Sequence, residues 1–196
     1  MAKKKSVRLA ADNFVVDADN IAQFASQVAG PISDQHKSWV HDYAIIRLYR
    51  EFEGLMLSAL TGAINNGTST VSSKIGINFP KHLTDEVCEF LITSGGYFDF
   101  KGRDGLIKTI KQFVPDDHYL LTTVKKPGYK DALNRLSALR NFAAHDSSQS
   151  KKAAIAALSC KNLSSSGSWL KSQGRFRALV ASLQSLAREI STNAPF

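Results

Sequence analysis

The residues best suited to chemistry lie in one short stretch, which reads Arg-Asn-Phe-Ala-Ala-His from Arg140 to His145. An imidazole takes or gives a proton at neutral pH, which makes His145 a candidate general base or acid. A guanidinium stays protonated, and its planar fork matches phosphate oxygens, so Arg140 is a candidate anion-binding group. The stretch therefore suits a reaction that needs a proton carrier beside a bound anion.

This stretch lies at the end of an amphipathic helix predicted over residues 129–145. At about 100° per residue, four apolar residues fall within an arc of about 60° around the helix axis, which predicts the face that packs in the core. The apolar group is Ala132, Leu136, Leu139 and Ala143. A polar group clusters on the opposite side and consists of Asn134, Ser137, Asn141 and His145. We therefore expect a polar, titratable strip near the C-terminal end of this helix.

The spacing of Arg140 and His145 leaves their relative placement open. Five residues of helix turn by about 500°, so the two side chains point about 140° apart. Asn141 and His145 are four residues apart and share a face. Three arrangements remain: the helix ends before His145, the long Arg140 side chain turns round, or the motifs of two protomers face each other across a twofold axis.

Helical periodicity also dominates the rest of the chain. The longest predicted helix spans residues 33–65, and its apolar residues step by three and four to form one buried stripe. The stripe is Ile45, Leu48, Phe52, Leu55 and Ala59. Further helices are predicted over residues 17–30, 84–94, 103–113, 148–158 and 173–190. Because no repeat, heptad register or run of alternating strands occurs, the sequence predicts an all-α bundle with a long central helix.

The predicted organisation is one helical domain over residues 12–196 behind a flexible basic tail over residues 1–11. The tail contains Lys3, Lys4, Lys5 and Arg8, with no apolar periodicity. Residues 164–168 predict a loop because they are serines and a glycine. Residues 66–82 give no clear assignment.

Positive charge is concentrated in the second half of the chain. Of the net charge of +8, residues 1–100 contribute 9 Lys and Arg against 11 Asp and Glu, whereas residues 101–196 contribute 16 against 6. Such a surface favours a polyanionic partner such as RNA, although a solvated, solubilising surface is the alternative. The lysines that flank the motif helix in sequence are candidates for an RNA path: Lys125, Lys126, Lys130, Lys151 and Lys152.

Several classes of protein are excluded at this point. No apolar run approaches the roughly 20 residues that a membrane-spanning helix needs, so we expect no membrane association. Cys88 and Cys160 form no zinc-binding pattern with the histidines, and neither a metal nor a cofactor is expected. Asp12 and Asn13 interrupt the region where a signal peptide needs its apolar core, which predicts a cytoplasmic protein.

The Arg-Asn-x-x-x-His motif at 140–145 resembles the signature of the HEPN superfamily of small helical domains. The order of the helices over residues 35–160, and Glu53 in the long helix, most resemble its RiboL-PSP-HEPN branch. The resemblance implies a metal-independent endoribonuclease in which His145 is a general base or acid, Arg140 binds phosphate, and Asn141 holds the phosphate or orients His145. Weaker supporting candidates are Glu53 and Arg50, which could orient the motif, and Asp146, which could tune His145.

The resemblance also implies a homodimer and a setting in toxin action, phage defence or RNA processing, with a possible antitoxin or other protein partner. The alternative is a helical module without catalysis, which dimerises or binds nucleic acid or a nucleotide through its basic half. In that case His145 is a helix-terminal histidine favoured by the helix dipole, and Arg140 is a surface cation.

Overall fold

The computed structural model describes residues 6–30 and 32–195, and all regular structure within these ranges is helical, with no strand. The α-helices are α1 (Val7–Val28), α2 (Asp34–Asn66), α3 (Ser69–Ile75), α4 (Asp85–Thr93), α5 (Gly102–Ile110), α6 (Tyr119–Lys125), α7 (Lys130–His145), α8 (Ser148–Leu158), α9 (Ser166–Leu170) and α10 (Arg175–Asn193). A 3₁₀ turn over Pro127–Tyr129 precedes α7. The all-α prediction is confirmed. Across the described part of the chain, no helix combines the length and apolarity needed to cross a membrane.

The long helix α2 forms the centre of the core. All five residues of its predicted apolar stripe are buried. Ser33 begins the helix by accepting a hydrogen bond from the backbone N–H of His36 at 3.3 Å. On the outer side of the helix, Arg47 and Glu51 are one turn apart and form an ion pair at 2.7 Å. Helix α2 packs against α1, α4, α7 and α9. It therefore contributes to both sites that are described below.

The approach of α9 to α2 requires a glycine. A Cβ atom added to Gly167 would lie 1.8 Å from the carbonyl oxygen of Ser38. The backbone N–H of Gly167 donates to Asp42 at 2.6 Å, which fixes this crossing. The predicted loop over 164–168 is therefore wrong from Ser166 onwards. The serines act as a capping box, in which Ser165 and Ser168 each accept from the other's backbone N–H.

The predicted flexible tail over residues 1–11 is wrong for residues 7–11, and residues 1–5 lie outside the described residues. Helix α1 begins at Val7, well before the predicted start near residue 17. Ser6 caps it, and Val7 and Ala11 are buried. Arg8 donates to the carbonyl oxygen of Ala194 at 2.9 Å, which ties this first turn to the end of α10.

The polar strip predicted for α7 is partly covered by the segment that precedes α5 and by the start of α5. Ser137 is 5% exposed, and its hydroxyl donates to the carbonyl oxygen of Phe100 at 3.4 Å. Asn134 accepts from the backbone N–H of Arg103 at 2.9 Å, at the start of α5. These two polar residues fix α5 against α7, because buried polar groups need hydrogen-bond partners. Of the four strip residues, His145 at the C-terminal end of α7 is the exposed one.

Candidate active site

The motif residues lie along the contact between α2 and α7, which run antiparallel. The facing surfaces of these two helices, around Tyr49, Glu53 and Arg140, are called the α2–α7 groove below. Arg140 of α7 contacts Tyr49 of α2, and six residues further along α7 the charge of Asp146 acts on Asp42 of α2. Burial raises the pKa of Asp42, the hydrogen bond from Gly167 opposes this effect, and Asp146 adds to the rise. Asp146 therefore faces a second carboxylate across the groove.

Arg140 is held in place by an aromatic ring. Its guanidinium carbon lies 4.5 Å from the centre of the Tyr49 ring, a cation–π contact, and one terminal N–H donates to Asn141 Oδ1 at 2.8 Å. No acidic side chain among the described residues forms an ion pair with Arg140 within 4 Å. A guanidinium has five N–H donors, so this arrangement orients Arg140 while most donors stay available to an anion.

Tyr49 is in turn held by the segment that precedes α5. Its ring is 1% exposed and stacks on Phe100, with the ring centres 4.9 Å apart. Its hydroxyl donates to Asp99 Oδ1 at 2.5 Å and accepts from the backbone N–H of Phe100 at 3.4 Å. Burial raises the pKa of Tyr49, and the bond to Asp99 adds to that effect. Tyr49 is thus a fixed, neutral surface beneath Arg140.

Glu53 lies one helical turn after Tyr49 on α2 and is half-buried. Burial raises the pKa of Glu53 to about 7. The positive charge of Arg140 opposes that rise, and the negative charge of Asp99 adds to it. Arg50 is exposed, and its positive charge also lowers the pKa of Glu53. A carboxyl group with a pKa near 7 exchanges its proton at physiological pH, as a general acid or base must.

His145 is the last residue of α7, and it is exposed. The helix continues through His145 and ends at Asp146, which has the left-handed φ of 41°. The first of the three arrangements, in which the helix ends before His145, is therefore wrong. Because Arg140 turns towards α2, the two motif side chains lie at different depths, Arg140 within the groove and His145 at its rim.

The five candidate lysines do not come together. Lys130 and His145 stand at opposite ends of α7, about 22 Å apart along the helix axis. Lys125 and Lys126 lie at the same distant end as Lys130, and Lys126 pairs with Glu189 at 2.5 Å. The remaining two, on α8, are exposed and follow the motif directly. Only Lys151 and Lys152 thus stay close to the motif along the chain.

Two residues of the site, Tyr49 and Asp99, were not predicted. Tyr49 lies four residues before Glu53, so the same helical spacing that selects Glu53 places Tyr49 on one face with it. Asp99 carries no comparable signal, since it lies in a segment without regular structure and reaches Tyr49 across 50 residues of chain.

No group of His, Cys, Asp and Glu within the described residues has the geometry of a metal site. No protein-family model matches the chain, and neither a curated protein nor a solved structure does. The resemblance to the HEPN superfamily therefore rests on the motif and on the order of the helices.

Proposed function

We propose that this chain is a metal-independent endoribonuclease whose active site is the α2–α7 groove. One observation carries the proposal. The Arg140 guanidinium is fixed over the Tyr49 ring, without an ion-pair partner among the described residues, beside Glu53, whose carboxyl has a pKa of about 7. Such a site offers an oriented cation for a phosphate and a proton-transfer group next to it.

The two proton carriers lie on opposite sides of Arg140 along the helix axes, the order that an in-line displacement at phosphorus needs. Glu53 lies about 6 Å along α2 from Tyr49, the residue beneath Arg140. His145 lies about 7.5 Å from Arg140 along α7. Because the helices are antiparallel, these offsets run in opposite directions. A phosphate bound at Arg140 would therefore have one proton carrier on either side.

The reaction follows from this placement. One carrier removes the proton of the ribose 2′-hydroxyl, and the 2′-oxygen attacks phosphorus while Arg140 stabilises the charge on the phosphate oxygens. The bond to the 5′-oxygen breaks, and the other carrier gives that oxygen a proton. The products are a 2′,3′-cyclic phosphate and a 5′-hydroxyl. Asn141 holds the Arg140 fork in the orientation that receives the phosphate.

We further propose that two copies pair so that their motifs face each other, which would bring the exposed His145 of one copy to the groove of the other. A cytoplasmic role in toxin action, phage defence or RNA processing, under the control of a protein partner, fits such an enzyme. Lys151 and Lys152 are the basic residues that we expect to guide RNA to the groove.

The decisive experiment is cleavage of a fluorescent mixed-sequence RNA in EDTA. We expect wild-type protein to cut, and His145→Ala, Arg140→Ala and Glu53→Gln to lose activity by about 100-fold or more, the usual contribution of a proton carrier. The controls are His36→Ala and Arg47→Ala, which alter an exposed histidine and an exposed arginine of α2 outside the groove. Equal cleavage by wild type and His145→Ala would refute the assignment, because it would identify a contaminating nuclease or another site.

A non-catalytic, RNA-binding module is the second candidate, and the position of His145 favours it. His145 is exposed at the last position of α7, as a helix-terminal histidine favoured by the helix dipole would be. This alternative predicts RNA binding that weakens steeply with salt, no cleavage in EDTA and little effect of His145→Ala on affinity.

A further inference from the structure

A second concave site lies where α1, α2 and α10 meet. It is a cavity of about 480 Å³, and it has no residue in common with the α2–α7 groove. Its floor is apolar and is formed by Ala22, Ala25 and Phe176. Its rim carries Lys37 and Arg177. The volume is within the range of small-molecule sites, which are mostly apolar with a few converging polar groups.

The positive charge of this cavity is not neutralised by the protein. Within residues 6–30 and 32–195, neither Lys37 nor Arg177 makes a side-chain hydrogen bond or an ion pair. Asp34 is the acidic residue among the described lining, and Lys171 binds it at 2.6 Å. Lys171 also donates to the hydroxyl of Ser38 at 3.0 Å, so it is fully engaged. Lys37 acts on Asp34 by its charge alone. With three cations, Lys37, Lys171 and Arg177, against the single carboxylate of Asp34, the described lining keeps a net positive charge.

A buried histidine also lines this cavity. His41 is 8% exposed, and its ring packs edge-on against Phe176 at 5.7 Å. Its Nδ1–H donates to the carbonyl oxygen of Lys37 at 2.8 Å, which fixes the tautomer. Its Nε2 has no hydrogen-bond partner within the described residues. In this tautomer Nε2 is a hydrogen-bond acceptor, suited to a protonated ligand oxygen.

The N-terminus of α10 adds a third type of anion-binding group. The helix begins at Arg175 after Gly174, and no side chain caps its first turn. Gly174 and Arg177 both line the cavity, so the positive end of a 19-residue helix dipole lies at its edge. Lysine, arginine, imidazole and helix end thus converge from two helices, α2 and α10.

We propose that this cavity binds a phosphomonoester. Several donors that approach from different directions match the three terminal oxygens of a phosphate dianion better than the two coplanar oxygens of a carboxylate. The apolar floor then receives the uncharged part of the ligand. The phosphate belongs either to a free nucleotide or to the 5′ end of a nucleic acid, and the second source rests on the proposed ribonuclease function.

Calorimetric titration of the full chain tests this site. The probes are inorganic phosphate, AMP, and a trideoxynucleotide with or without a 5′-phosphate, which has no 2′-hydroxyl and cannot be cleaved. We expect saturable binding of AMP that weakens about tenfold or more in Arg177→Gln and in Lys37→Gln, since each removes a charge-assisted hydrogen bond. Arg188→Gln, another exposed arginine of α10, is the matched control and should bind as wild type does.

The outcomes separate this site from the active site. His145→Ala should leave AMP binding unchanged, so the phosphate site stands even if no RNA is cleaved. A trideoxynucleotide that binds only with its 5′-phosphate, and more tightly than AMP, identifies a nucleic-acid end as the ligand. Absence of saturable binding by every phosphate probe overturns the proposal. Equal weakening by Arg177→Gln and Arg188→Gln overturns it as well, because it would indicate a diffuse charge effect.

Discussion

Replacement of Glu53 by glutamine should raise stability at alkaline pH and leave it unchanged in acid. Burial is the main cause that raises the pKa of Glu53 from the ordinary 4.5 to about 7. The folded chain therefore holds this proton more tightly than the unfolded chain does. The resulting stability is fully present below pH 4.5 and is lost as the pH rises to about 7. Glutamine resembles the protonated form and has no charge to acquire.

The magnitude follows from the same values. The difference between a pKa of 4.5 and one of about 7 corresponds to at most about 3.4 kcal/mol. Since the half-buried side chain is partly screened by water, we expect about 1–2 kcal/mol. In a domain of this size 1 kcal/mol shifts Tm by about 2–4 °C, so Glu53→Gln should melt about 3–6 °C above wild type at pH 8.

Thermal unfolding of both proteins at pH 4 and at pH 8 measures this difference. Glu51→Gln is the matched control, because Glu51 pairs with Arg47 on the outer side of the same helix and its loss should cost no more than about 0.5 kcal/mol. A Glu53→Gln protein that melts below wild type at pH 8 would refute the reasoning. The same Tm difference at both pH values would refute it too, since the effect would then not come from ionisation.

Three further predictions test the fold around the site by urea unfolding. Tyr49→Phe should cost about 1–2 kcal/mol, because it removes a buried hydroxyl that is hydrogen-bonded to the segment before α5. Gly167→Ala should cost about 3 kcal/mol of stability, because the methyl group of the alanine would overlap a backbone carbonyl of α2. Gly128→Ala, at a position with open space around it, should change stability by less than about 0.5 kcal/mol. Val7→Asp should cost about 3 kcal/mol of stability because it buries a charge in the first turn of α1. Leu9→Asp, at a residue that is 55% exposed, should be nearly neutral. Equal effects of the two substitutions would contradict the burial of this turn.

The parts of the fold that periodicity predicts are the helices with large apolar side chains. The stripe of α2 has four large apolar residues and Ala59 at helical spacing, and all five are buried. Helix α1 instead buries the small side chains of Ala11, Ala18, Ala22 and Ala25. Alanine contributes little to an apolar pattern although it allows close packing, so the predicted start of α1 was ten residues late.

The candidate site shows the same division between local and long-range information. Spacing along α7 and α2 selects Arg140, Asn141, His145 and Glu53, because these relations lie within single helices. The burial of Ser137 depends instead on the carbonyl oxygen of Phe100, 37 residues away. A helical wheel shows that Ser137 is polar and points away from the apolar face, but it does not show that another helix packs there.

The choice of partner for Arg140 bears directly on function. An acidic partner would occupy the planar fork that a phosphate needs, and the pair would be mutually neutralised. An aromatic ring binds the face of the guanidinium and leaves its N–H groups in the plane free. Tyr49 is buried, and its ring centre lies 4.5 Å from the guanidinium carbon of Arg140. The charge of Arg140 acts on Glu53 without an ion pair within 4 Å among the described residues. An arginine held by a ring rather than by a carboxylate, beside a carboxyl with a pKa of about 7, supports the proposal that this site receives an anion.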